Sequence, residues 1–190
     1  MDKSDKEIFK IATLYKFVNI KNPQNFKKKI YSFCEIFKIK GTLLISHEGI
    51  NGTISGENDN VSLFIKEIKK IKCFSDIDVK YSFHSKSPFL RIKVKLKKEI
   101  VTMGVNNINP NSQSGKYLNP DQWNNFIKDP NVIVIDTRNH YEIKIGKFEN
   151  SINPMTKNFR EFPSWVSYFS KKFKKKKNIK IAMYCTGGIR

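Results

Sequence analysis

Nowhere in the 190 residues does a run of apolar side chains approach the roughly 18 that cross a membrane, and residues 1–7 lack the apolar stretch of a secretory signal. The chain therefore reads as a soluble cytoplasmic protein. Cysteine is scarce: Cys34, Cys73 and Cys185 are too few and too scattered for a disulfide framework. No Cys-x-x-Cys or Cys/His cluster suggests a metal site, and no internal repeat is visible. Acidic residues are also short, 17 Asp+Glu against 36 Lys+Arg, which leaves a formal net charge of +19. A composition heavy in Lys, Asn and Ile has a bland origin in AT-rich coding, while a concentrated positive charge also suits a polyanion such as RNA. The run Lys171 to Lys177, interrupted only by Phe173, reads first as a solvated helix end and second as part of a polyanion contact.

What is present is enough apolar material for a core, 39% of residues, so wholesale disorder is excluded. The length admits one large or two small domains, and the pattern favours two. Residues 8–102 read as a compact α+β unit. A strand at 9–17 precedes a helix opened by Asn22-Pro23, in which Phe26, Ile30, Phe33 and Phe37 recur at spacings of three and four; Gly41 is expected to end it. Strands follow at 42–46 and 52–56, then a helix over 60–71 with Val61, Phe64, Ile65 and Ile68 on one face. Strands at 78–83 and 89–96 close the unit, the latter alternating Leu90, Ile92, Val94 and Leu96 with Arg91, Lys93, Lys95 and Lys97. The β-α-β-β-α-β order is the split pattern of ferredoxin-like domains.

Residues 103–116 lose periodicity and fill with Asn, Ser, Gly and Pro, the composition of a linker. From 117 to 190 the pattern is α/β. A helix at 120–128 turns Trp123, Phe126 and Ile127 inward, and Val132-Ile133-Val134-Ile135 is expected to be a strand buried on both faces of a parallel sheet. A helical segment over 162–173 separates it from a second such strand at 179–184.

Chemistry is expected at the end of that last strand, where Cys185-Thr186-Gly187-Gly188-Ile189-Arg190 follows Tyr184. Ligands of open parallel sheets sit at the carboxyl ends of strands. Gly187 and Gly188, if both take positive φ, allow backbone N–H groups to converge on Cys185 as an anion nest, with Arg190 as a supplement. Cys185 thus reads as a reactive nucleophile, and Cys34 and Cys73 as structural. Just past the first strand, Asp136, Arg138 and Glu142 are expected to brace the loop, with Arg138 and Glu142 as an i, i+4 pair.

Asp136-Thr137-Arg138-Asn139-His140-Tyr141-Glu142, with Gly146, Phe148, Asn150-Ser151, Asn153-Pro154 and the Cys185 loop, resembles a rhodanese domain. The Cys-x4-Arg loop is one residue shorter than that of cysteine phosphatases, which reduces phosphoryl chemistry to a minor alternative. Adding His47-Glu48-Gly49-Ile50-Asn51-Gly52 narrows the likeness: over essentially the whole chain the sequence resembles the bacterial rhodanese-related tRNA uridine(34) hydroxylases. On residues alone, that N-terminal signature is equally a strand-to-strand turn held by Gly49, Asn51 and Gly52, with His47 capping it.

The resemblance implies an α+β ferredoxin-like (acylphosphatase-like) domain followed by an α/β rhodanese-like domain. It implies oxygen-dependent hydroxylation of a tRNA wobble uridine to 5-hydroxyuridine, with molecular oxygen as co-substrate and no other cofactor evident. It assigns catalysis to Cys185, the loop to Thr186, Gly187 and Gly188, and offers Arg190, Arg138, His47 and Asn51 as substrate-binding candidates. The partner is tRNA at its anticodon stem-loop, and no membrane. The family continues past the loop arginine, so the rhodanese-like domain is expected to be incomplete at its C-terminus. The alternatives are a rhodanese-type sulfurtransferase using a Cys185 persulfide, and a truncated inactive or RNA-binding remnant.

Overall fold

A computed structural model describes residues 8–105, 108–172 and 178–190, without the side chains of Asn111 and Gln113. The lysine run falls largely outside the described residues. The chain forms two compact units. The first comprises the described residues up to Ile100 together with Asn109–Asn111, and the second is the remainder.

The first unit is built from β1 (Phe9–Phe17), α1 (Pro23–Ile36), β2 (Lys40–Ser46), β3 (Gly49–Glu57), α2 (Asn58–Lys69), β4 (Asp78–His84) and β5 (Ile92–Leu96). The sheet order is β4-β1-β3-β2-β5, antiparallel except that β5 runs parallel to β2. Its first four strands have the antiparallel 4-1-3-2 order that the split β-α-β pairs of a ferredoxin-like domain produce, and β5 widens the edge. Strand alternation sends Ala12, Leu14, Leu43, Ile45, Ile50, Ile54 and Val94 to one face, where they meet Ile30 and Cys34 of α1 and Val61, Phe64, Ile65 and Ile68 of α2. Burial in that core pushes the Cys34 thiol up to about 12, which keeps it inert; Cys73, by contrast, is exposed.

Several boundaries differ from the sequence expectation. Helix α1 ends at Ile36, capped by Phe37 and followed by a left-handed Lys38, rather than at Gly41. Lys38 takes the left-handed conformation at φ 50°, its N–H bonds back to the Glu35 carbonyl, and the Ile39 N–H to the Cys34 carbonyl at 2.8 Å. Gly41 lies inside β2 instead, because a Cβ there would stand 2.3 Å from the Thr53 carbonyl oxygen. Strand β3 begins at Gly49, so Asn51 and Gly52 are strand residues and the turn is His47-Glu48. Strand β5 starts three residues late: Leu90 is 96% exposed and outside the ladder.

The segment expected as a linker contains the short helix α3 (Pro110–Gln113). The second unit continues with α4 (Pro120–Phe126), β6 (Val132–Asp136), α5 (His140–Ile143), α6 (Phe162–Lys171) and β7 (Lys180–Tyr184). Asn119 caps α4: its side chain accepts from the Gln122 N–H while the Gln122 side chain accepts from its own. Strands β6 and β7 pair in parallel, and Ile152 adds a single bridge beside Ile135. The expectation of strands buried on both faces fails here. Val134, Ile135 and Ala182 are buried, but Ile181 and Met183 are 53% and 52% exposed, since among the described residues no further strand or helix covers that side of β7. No described helix is long and apolar enough to cross a membrane.

Candidate functional site

The parallel pairing of β6 and β7 brings Asp136 directly opposite Tyr184, so the residues that follow each strand share one end of the sheet. Thr137 fastens the two ends. Its N–H and its hydroxyl both donate to the Tyr184 carbonyl, at 3.0 and 2.8 Å. From this anchor the chain turns into the Cys185 loop. Gly188 sits at φ 79°, in the left-handed region that favours glycine. The Gly188 N–H donates to Cys185 Sγ at 3.0 Å and the Arg190 N–H at 3.4 Å, which surrounds the sulfur with the positive ends of backbone dipoles. The nest therefore forms with one left-handed glycine, Gly188, not two. Cys185 is partly exposed and carries no disulfide.

The loop is held from beneath by Glu142. Its carboxylate accepts from the Thr186 hydroxyl at 3.0 Å, from the Arg190 guanidinium at 3.0 Å and from the Asn139 N–H at 2.9 Å. Burial works to raise the Glu142 carboxyl, and these three donors overcome it and hold it below the ordinary carboxylate range. The expected Arg138–Glu142 pair is not formed. Glu142 takes Arg190 instead, whose guanidinium also donates to the Thr137 carbonyl at 3.2 Å. The i, i+4 rule applies within one helix, and Arg138 precedes α5, which starts only at His140.

Arg138 is directed to Asp136. Its Nε and Nη2 donate to the carboxylate in a fork, Nη2 at 2.7 Å, and Nη2 also reaches the Gly146 carbonyl at 2.6 Å. Asp136 is fully buried, and its second partner is the Tyr184 hydroxyl at 2.5 Å. Burial pushes the Asp136 carboxyl up, but the bonds from Arg138 and Tyr184 outweigh it and keep the group ionised. Burial, reinforced by the carboxylate, raises the Tyr184 phenol. The same oxygen accepts the Phe148 N–H and lies 3.2 Å from Ser151 Oγ.

Arg138, Gly146, Lys147, Phe148, Tyr184, Cys185 and Thr186 line a cleft of about 370 Å³. One wall is aromatic: Phe148 and Tyr184 meet edge to face at 4.8 Å, backed by Trp123. The structure thus gathers Cys185, Thr186, Gly187, Gly188, Arg190 and Arg138 in one place. His47 and Asn51 belong to the first unit and serve its architecture. His47 Nδ1 lies 3.1 Å from the Ile20 carbonyl, and the Asn51 amide donates to the Ile100 carbonyl at 2.8 Å. Sequence reasoning missed Tyr184 as the hub of the site and Phe148 as a cleft wall. Tyr184 was detectable in principle, as a polar-tipped aromatic ending a buried strand beside the cysteine. Among the described residues no cluster of His, Cys, Asp or Glu could hold a metal ion.

Comparison with known proteins follows the same division. Residues 9–100 match the UPF0176 acylphosphatase like domain and residues 119–190 the Rhodanese-like domain. A tRNA uridine(34) hydroxylase of Wolbachia sp. subsp. Brugia malayi (strain TRS) is 48% identical over 182 residues, 96% of this chain and 66% of that protein. Another, from Rhizobium leguminosarum bv. trifolii (strain WSM2304), is 50% identical over 96% of this chain and 58% of its own length. A third, from Prochlorococcus marinus (strain NATL2A), is 46% identical over 100% of this chain and 60% of its own. Among solved structures, an acylphosphatase from Coxiella burnetii is similar over 50% of this chain and all of its own, at 12% identity and a TM-score of 0.35. The protein is an acylphosphatase-like domain joined to a rhodanese-like domain. It belongs to the family of the tRNA uridine(34) hydroxylases, and spans about 58–66% of the length of these relatives.

Proposed function

We propose that this chain carries the tRNA-contacting and thiol-bearing parts of a cytoplasmic enzyme that hydroxylates the wobble uridine of tRNA to 5-hydroxyuridine, with molecular oxygen as co-substrate. The observation that supports it most is Cys185 Sγ, held by two backbone N–H donors at the mouth of an aromatic-walled cleft, in a chain nearly half identical to proteins named for that reaction. A stacked uridine hides its C5 edge, so the base must be splayed out of the anticodon loop before anything can reach it. Phe148 and Tyr184 offer such a base an apolar wall. Each of Arg138 and Arg190 is engaged by a carboxylate, Asp136 or Glu142, which fixes the loop, and Arg138 also lines the cleft.

Nucleoside mass spectrometry of tRNA from cells lacking the gene tests this reading. Loss of 5-hydroxyuridine, restored by the wild-type gene and not by Cys185→Ser, supports it; unchanged 5-hydroxyuridine overturns it. The rhodanese-like match over 119–190 supports a second reading, in which Cys185 carries a persulfide to a thiophilic acceptor. Incubation with thiosulfate separates the two: a one-sulfur mass gain on Cys185 with turnover favours transfer of sulfur.

A further inference from the structure

The alternation of residues 90–97 has no role in the site above. Val94 faces the helices and is buried, and Ile92 packs against the same core. Arg91, Lys93, Lys95 and Lys97 consequently point to the opposite side of the sheet, and all four are exposed. The ladder extends past both ends of β5: Gly41 N–H bonds to the Arg91 carbonyl and Lys97 N–H to the Ile45 carbonyl. The four cations therefore stand in one line along an edge strand, about 6.6 Å apart and about 20 Å end to end. That interval is close to the step between successive phosphates of a nucleic-acid strand.

The neighbouring strand supplies Lys40 to the same face, and the register continues inward with Thr42, Thr53 and Thr13, the last two sharing a hydroxyl contact at 3.1 Å. Among the described residues, Lys40, Arg91, Lys93, Lys95 and Lys97 form no ion pair with a carboxylate. Lysines on edge strands commonly guard against pairing between sheets. A line of four beside a fifth, with the row Thr42, Thr53 and Thr13 running inward from Lys93, goes beyond that role.

We infer that the open face of the first unit along β5 docks the phosphate backbone of an RNA strand, with Arg91, Lys93, Lys95 and Lys97 each meeting one phosphate. The inference rests on the tRNA reading above and assigns to it a surface. Each neutralised phosphate releases condensed counterions, so the slope of log affinity against log salt counts the contacts, at about 0.7–0.9 per phosphate.

The experiment measures binding of an unmodified tRNA transcript by the full chain across a salt series. Replacing all four cations with Gln is expected to flatten the slope by about 3. Replacing Lys28, Lys29, Lys66 and Lys69, on the outer faces of the two helices, changes the net charge equally and is expected to leave the slope near the wild-type value. Circular dichroism melting checks folding, and if the fourfold variant fails to fold, Lys93→Gln and Lys95→Gln singly each flatten the slope by just under 1, while Lys93→Arg does not. An unchanged slope in the folded β5 variants, an equal loss in the helix-face control, or no tRNA binding by the wild type overturns the inference. A flattened slope in a protein without hydroxylating activity supports the docking surface and counts against the activity alone.

Discussion

The two units reach order by different means. In the first, a five-stranded sheet and two helices enclose a core in which Leu14, Ile30, Leu43, Ile45, Ile50, Ile54, Val61, Phe64 and Ile68 are wholly shielded. The second has few buried apolar side chains, and its most deeply buried groups include the polar Asp136 and Thr137. Its site is a hydrogen-bonded network, Tyr184–Asp136–Arg138 on one side and Thr186–Glu142–Arg190 on the other. Apolar packing is nondirectional and tolerates a shifted boundary. A charged network tolerates little, because a buried group that loses its partner keeps the full cost of leaving water. Rigidity at the cleft therefore comes from directional bonds rather than from mass of core.

Both tryptophans, Trp123 and Trp165, lie in the second unit. Tryptophan fluorescence therefore follows that unit, while far-ultraviolet circular dichroism follows both, and comparing the two signals separates the units experimentally. The largest effect is expected from Phe64→Ala, which empties the centre of the first core and costs about 4 kcal/mol. In denaturant it should move the dichroism transition and leave the tryptophan transition nearly in place. Coincident shifts would mean that the units unfold as one. Asp136→Ala is expected to cost about 3 kcal/mol, because it strands the Arg138 guanidinium and the Tyr184 hydroxyl. Here the tryptophan transition should shift, and the dichroism only in the part that the second unit contributes.

Gly188→Val forces a β-branched residue to φ 79°, a strain of about 2 kcal/mol. It should slow alkylation of Cys185 by iodoacetamide while the first unit keeps its stability; a labelling rate equal to wild type would mean that the N–H cradle does not govern the thiol. Tyr184→Phe removes one donor to Asp136 and is expected to cost about 1 kcal/mol, again in the tryptophan signal.

Acid should distinguish the units as well. Asp136 and Glu142 are held below their ordinary values in the folded state. Each thus binds fewer protons folded than unfolded, and its contribution is present above about pH 4 and lost as pH falls through the lowered value. The tryptophan-reported stability should fall on acidification more steeply than that of the first unit, and Glu142→Gln should shallow the dependence. Parallel pH profiles for the two units would contradict this.

Local signals in the sequence carried most of the first unit. The three-and-four spacing of Phe26, Ile30 and Phe33, and the Val61, Phe64, Ile65, Ile68 stripe, identified both helices because a helix must bury one face. The end of α1 was misplaced because glycine is the usual left-handed terminator, and Lys38 takes that conformation only where the following β2 must pair with β3. The apolar run 132–135 and the largely apolar 179–184 correctly identified strands, but burial depends on what lies on each side, which a strand's own residues do not encode.

The position of Cys185 at a strand end, the loop that follows it and the likeness to a two-domain family were all legible from the sequence, because they depend on residue order over short distances. Which cation meets which carboxylate was not. Arg138 and Glu142 sit four residues apart and part company, while Glu142 joins Arg190 across 48 residues and Tyr184 joins Asp136 across another 48. Those pairings exist only because β6 and β7 align in parallel and carry both strand ends to one point. A charge chooses the partner that the fold places within about 3 Å with the least residual exposure to water, and only the assembled tertiary structure sets that distance.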